Sequence, residues 1–134
     1  MTRPTIPTKL RELIAIEAGR RCGYCRAPEE LTTSRFHIEH IIPLSSGGDS
    51  ERDNLWLACP LCNGFKAAQT HGIDTETGQR VALFNPRTQN WSEHFSWSDD
   101  KCLIVGLSPT GRVTVRALKL NNDQIVRARR RWAA

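Results

Sequence analysis

The chain has 134 residues, 39% of them apolar and 25% charged, with a net charge of +5 and a pI near 9.3. That length suits one domain with its own core, and that composition excludes collagen-like, low-complexity and disordered classes. The longest apolar run, about CLIVGL, is far too short to span a bilayer, and the opening MTRPTIPTKL lacks the apolar stretch of a secretory signal.

The sequence therefore predicts a cytoplasmic chain without a membrane partner. Its basic balance favours polyanions, nucleic acid first, without deciding for them. No Pro/Ser-rich linker interrupts it, so residues 1–134 read as a single domain.

TKLRELIAIEAG, with Leu10, Leu13, Ile14 and Ala18 at helical spacing, predicts a helix capped by Thr8 and closed by Gly19. It leads into the tight knuckle Cys22-Gly-Tyr-Cys25. RFHIEHII, rich in β-branched and aromatic residues, reads as a strand, and Pro43 and SSGGDS as a loop. NLWLAC reads as a second strand and PLCNGFKAAQ as a short helix with Pro60 in its first turn. HGIDTETGQR reads as a polar link. RVALF, HFSW, KCLIVGL and RVTVRAL read as strands, with SPTG at 108–111 as the hairpin turn between the last two. In the last of these Val113, Val115 and Ala117 alternate with Arg112, Thr114 and Arg116, giving one buried and one solvated basic face. A closing helix spans about Asn122 to Trp132 and carries Arg127, Arg129, Arg130 and Arg131, side chains suited to bidentate phosphate contact.

A reducing compartment disfavours disulfides, so the five cysteines point elsewhere. Cys22, Cys25, Cys59 and Cys62 form two Cys-x-x-Cys pairs with 33 residues between them, which is what a tetrahedral zinc site requires. Four thiolates close the coordination sphere, so the site is structural and chemistry must lie elsewhere. Cys102 falls in an apolar run and reads as a small core residue.

His37-Ile-Glu39-His40 lies between the pairs. On a strand His37 and Glu39 share one face and His40 takes the other. A carboxylate suits Mg²⁺ or Mn²⁺, and a histidine is the natural general base near neutral pH. Two histidines beside a glutamate also form ordinary surface clusters.

The wider order is Glu39-His40-Ile-Ile-Pro43, Gly47-Gly48, Asn54-Leu55, Cys59-x-x-Cys62-Asn63 and Lys66. It resembles the HNH endonucleases, the ββα-metal nucleases, many of which carry a four-cysteine frame. The resemblance covers residues 22–66. It implies a ββα-metal core, which the pattern outside it extends to an α+β fold with an N-terminal helix and, over 80–134, antiparallel strands and a closing basic helix. It also implies hydrolysis of DNA phosphodiesters, by nicking if each chain acts alone. His40 would be the general base. Glu39 and Asn63 would hold one Mg²⁺ or Mn²⁺, with His37 either a further ligand or a phosphate-facing imidazole. Asn54 would brace the loop, and Lys66 would contact phosphate. Outside the resemblance, the run Arg127, Arg129, Arg130 and Arg131 reads either as a DNA contact or as a solvated basic face. The family usually has Asp where this chain has Glu39, which lengthens the reach of the carboxylate.

Two other readings remain. A zinc-stabilised nucleic-acid-binding module without catalysis shares the charge and the cysteines. His37-x-Glu39 ahead of a Cys-x-x-Cys also resembles a zinc deaminase, but Pro60 follows Cys59 and the first cysteine pair would be idle. Of the remaining residues, His71 reads as solvated, His94 as packed between Trp91 and Trp97, and Arg87 as either a turn residue or a phosphate contact.

Overall fold

Residues 5–132 are described by a computed structural model of the chain. They form a mixed α+β architecture of short antiparallel strand pairs and helices, in two compact units that meet in sequence at Ala68 and Gln69.

In the first unit, α1 (Thr8–Glu17) is followed by β1 (His37–His40), β2 (Leu55–Ala58) and α2 (Pro60–Lys66). Pro7, not Thr8, is the boundary residue of α1, and no side chain caps it. A cap must be extended, and Pro7 takes that conformation, leaving Thr8 as the first helical residue. The other end closes on Gly19. Its φ of +64° lets the Gly19 N–H reach the Ile16 carbonyl and the Arg20 N–H reach the Ala15 carbonyl, each at 2.9 Å. Ile14 of α1 packs with Ile6 and Leu55 into a core that Leu10 and Ile38 flank.

β1 and β2 pair antiparallel, with His37 opposite Ala58 and His40 opposite Leu55. This register puts Ile38 against the α1 side. Leu57 and Ala58 are buried, so β2 carries little polar character. The strand–loop–strand–helix order over β1, β2 and α2 is that expected from the sequence.

The second unit contains β3 (His71–Ile73), β4 (Arg80–Ala82), a one-turn α3 (Trp91–His94), β5 (Phe95–Trp97), β6 (Ile104–Gly106), α4 (Pro109–Ala117) and α5 (Asp123–Trp132). The strands form two separate hairpins, β3–β4 and β5–β6. HGIDTETGQR is thus the first hairpin rather than a link. Asp74 holds its turn, with its N–H on the Gln79 carbonyl and its Oδ2 accepting from the Thr77 hydroxyl.

The segment RVTVRAL is helical, not a strand, and SPTG is its start rather than a hairpin turn. Ser108 accepts the Gly111 N–H at 3.0 Å and Pro109 occupies the first turn, a strong start signal. The buried positions are Gly111, Val113, Thr114 and Leu118, of which Gly111, Thr114 and Leu118 follow one another at helical spacing. A Cβ on Gly111 would sit 2.0 Å from the His94 carbonyl oxygen, so only glycine permits this approach. Arg112, expected on a solvated face, forks onto Asp74 at 2.9 and 3.0 Å and holds that carboxyl well below the usual range. Arg116 is exposed.

His94 does not lie between the two tryptophans. Its Nδ1 is 2.6 Å from the Ser108 hydroxyl and its ring meets Phe84 edge-on, while Trp91 and Trp97 face each other at 5.5 Å. His71 is exposed, and Cys102 is buried.

Candidate metal centre and active site

The two knuckles are built locally. The Cys22 N–H donates to Ala27 O at 2.9 Å and the Arg26 N–H to Cys22 O at 3.1 Å, with Arg26 in the left-handed region at φ 66°. The Gly23 N–H reaches Leu57 O at 2.9 Å, tying this knuckle to β2. Cys59 caps α2, its sulfur accepting the Cys62 N–H at 3.4 Å.

All four thiols are buried, and their sulfurs lie within 4.8 Å of one another. Cys25 Sγ and Cys59 Sγ are 3.7 Å apart. Sulfurs bound tetrahedrally to zinc at about 2.3 Å stand about 3.8 Å apart, so the cluster has the size of a zinc site. The thiols also compete for charge. Hydrogen bonds from Cys22, Cys25 and Cys62 pull the Cys59 thiol far down, while hydrogen bonding to Cys22 and other neighbours pushes Cys25 and Cys62 up. A divalent cation removes that competition by letting every sulfur ionise.

Beside the cluster lies a second buried group. Tyr24, inside the first knuckle, donates its hydroxyl to Glu39 Oε1 at 2.5 Å. Lys66 Nζ is 3.3 Å from the same oxygen, and donates to Ile41 O at 2.9 Å and His40 O at 3.3 Å. Glu39 is 3% exposed and Lys66 2%. Burial pushes the Glu39 carboxyl up to about 7, against the opposing pull of Lys66 and Tyr24. Burial, then the Glu39 charge, pushes the Tyr24 phenol well above its ordinary value.

Lys66, expected to meet phosphate, is instead buried, because its ammonium completes the hydrogen bonding of the β1 end and the Glu39 carboxylate. His37 shares a strand face with Glu39 but is exposed, beyond the cover that buries Glu39.

His40 ends β1. It is 6% exposed, and its Nε2 shares a hydrogen bond with the Ser50 hydroxyl at 2.9 Å. Ser50 comes from the loop after β1, and that loop is strapped by Asn54. Asn54 accepts the Ile42 N–H at 2.8 Å and donates to Ile42 O at 2.9 Å and Asp49 O at 2.8 Å. Gly48 belongs to the same strap: a Cβ there would lie 1.8 Å from Ile42 O and 2.8 Å from the Asn54 amide nitrogen. Asn63, half-buried on α2, lines a cavity of about 480 Å³ with Pro43, Leu44, Ser45 and Gly64. Among the described residues, the four cysteines are the one group of three or more His, Cys or carboxylate side chains gathered as ligands.

The arginine run divides. Arg127, Arg130 and Arg131 are exposed. Arg129 is 2% exposed and donates to Cys102 O at 3.0 Å, Asn121 Oδ1 at 3.1 Å and Leu120 O at 2.6 Å. It therefore has no surface to offer a phosphate. Arg87 is half-buried in a loop that Asn85 organises, its N–H on Asn85 Oδ1 at 2.9 Å.

Sequence reasoning missed Tyr24 and Ser50. Tyr24 carried a signal, a polar aromatic enclosed between two ligands. Ser50 sits in a run of small polar residues and carried none.

No helix among the described residues is long and apolar enough to cross a membrane. No curated protein and no solved structure gives a significant match to the chain. A family model described as HNH endonuclease matches residues 22–69, the segment that holds both knuckles, His40, Asn54 and Asn63. The resemblance read from the acid–histidine pair, the glycine loop and the cysteine frame is therefore upheld: residues 22–69 match the HNH endonuclease family.

Proposed function

We propose that the chain is a metal-dependent DNA endonuclease in which the four cysteines hold a structural zinc and His40 is the general base. The observation that carries this reading is the coincidence of the HNH match with the strapped loop around His40. His40 accepts a proton from water, and the Ser50 hydroxyl fixes the plane of its ring. Asn54 holds the loop that presents Ser50. Asn63 and the Glu39 carboxylate are the groups to hold one Mg²⁺ or Mn²⁺. Tyr24 and Lys66 both address Oε1 of Glu39. A divalent ion held there would supply charge neutralisation at the phosphate and the leaving oxygen. Arg127, Arg130 and Arg131 present exposed guanidinium groups to the DNA backbone. With one His40 per chain, a single copy nicks. A cytoplasmic location agrees with reduced thiols as ligands.

The burial of Glu39, and the lack of a second gathered ligand group among the described residues, favour the rival reading of a zinc-stabilised binding module. A plasmid assay across Mg²⁺, Mn²⁺ and Zn²⁺ separates the two. The nuclease reading requires nicked product from the parent and a loss of about 10²–10⁴-fold in His40→Ala at unchanged zinc content. A parent that binds DNA and never cuts it makes the binding module the correct reading.

A further inference from the structure

Glu39, Tyr24 and Lys66 form an internal ion pair that is costly to build. Burying charges loses hydration, and apolar side chains of similar volume often serve as well for stability. What this group has that an apolar cluster lacks is direction. Tyr24 belongs to the first knuckle, two residues after Cys22 and one before Cys25. Lys66 lies on α2, four residues after Cys62. The two converge on one carboxylate oxygen, and the Lys66 ammonium also takes the carbonyls of His40 and Ile41. Both halves of the cysteine frame are thus hydrogen-bonded, through at most two side chains, to the backbone that carries His40.

We infer that Tyr24 and Lys66 are positioning residues that couple the four-cysteine site to His40, so that the metal in that site sets the placement of the histidine as well as the fold. The inference rests on the proposed role of His40 as base. The coupling itself is a property of the ground state and can be read without turnover. Close-packed interiors transmit small displacements, and a misplacement of about 1 Å at a reacting group can cost about 10²-fold in rate. A connection through two side chains, by hydrogen bonds and one ion pair, is a direct route for such a displacement.

The test uses the full chain and its four histidines as reporters. His37 and His40 lie on β1, and His71 and His94 in the second unit. The zinc-loaded and cadmium-loaded proteins are compared by NMR of the imidazole rings. Cadmium is larger and spreads the thiolates. Coupling requires the His40 ring resonances to move while those of His71 and His94 stay. In Tyr24→Phe and Lys66→Met, each checked for metal content and cooperative unfolding, the same His40 resonances move again. Nicking kcat falls about 10- to 100-fold, KM stays within about twofold, and added Mn²⁺ does not restore the rate. His40 resonances indifferent to both cadmium and Tyr24→Phe overturn the inference. If neither variant folds, the metal exchange alone decides. A parent that never cuts DNA sinks the nuclease reading and leaves the resonance comparison intact, so the two failures are distinguishable.

Discussion

The guanidinium carbon of Arg129 lies 5.3 Å from the centre of the Trp97 ring, on the buried side of α5. Its neighbours Arg127, Arg130 and Arg131 are exposed, spaced three and four residues apart on one helix face. Changing these three together to Ala is expected to leave the fold intact and to flatten the salt dependence of DNA binding by about one unit of log–log slope for each phosphate no longer neutralised. Arg129→Met is expected to do the reverse, leaving the Cys102 and Leu120 carbonyls without their guanidinium donor and destabilising the chain by roughly 3 kcal/mol. Truncating the whole run would confuse the two effects. Salt titrations and denaturant unfolding on the two variants separate them. An unaltered slope in the triple variant removes α5 from the DNA interface.

Cys59 serves twice, as a thiolate and as the cap of α2. Cys59→Ser keeps a capping oxygen but loses a soft ligand. The expected result is loss of bound zinc together with cooperative structure, since structural zinc contributes about 10–16 kcal/mol in small zinc-dependent folds. Metal analysis and circular dichroism check this. A pure, folded parent free of metal would contradict it.

Gly48→Ala places a methyl against the Ile42 carbonyl, where the space is already taken. The expected cost is about 1–3 kcal/mol, with a fall in nicking at full zinc occupancy, because the loop that carries Ser50 must shift. Activity equal to the parent's would mean that the loop tolerates the shift and that its strap is unimportant to the chemistry.

Glu39 gives the chain a pH signature. An unfolded glutamate titrates near about 4.3. In the folded chain the group titrates near 7, so folding favours its protonated form. That contribution is fully present below about pH 4 and is lost as pH rises through about 7, on the order of 3 kcal/mol over the window. Glu39→Gln cannot titrate. The stability difference between variant and parent is therefore expected to move in the variant's favour from about pH 5 to pH 8, as measured by urea unfolding of the zinc-loaded proteins. Parallel stability curves would mean that burial does not raise the titration of this carboxyl.

The first unit is largely legible because its signals are local. Two Cys-x-x-Cys pairs, a β-rich run ending in Pro43 and a Pro60 helix start each announce themselves within a few residues. α4 reads as a strand because Val113, Val115 and Ala117 alternate like one. The residues it buries include Gly111 and Thr114, which hydropathy does not mark as core. The Glu39 cluster is illegible because its partners are 15 residues before it and 27 after it. Pairing at that distance depends on the fold, not on spacing. Arg129 does carry a signal. It falls four residues after Ile125, on the face that α5 buries, while its charged neighbours fall outside that stripe.

All four thiolates have been synthesised once Cys62 is added, and the unit that contains them is complete at Ala68. The second unit, Gln69–Ala134, takes roughly 3–13 s to translate at typical rates of about 5–20 residues per second. The four thiols thus wait on no sequence made later. If these thiols take a metal, its capture can begin while Gln69–Ala134 is still being translated, and the supply of free metal during that interval becomes a determinant of how much nascent chain matures.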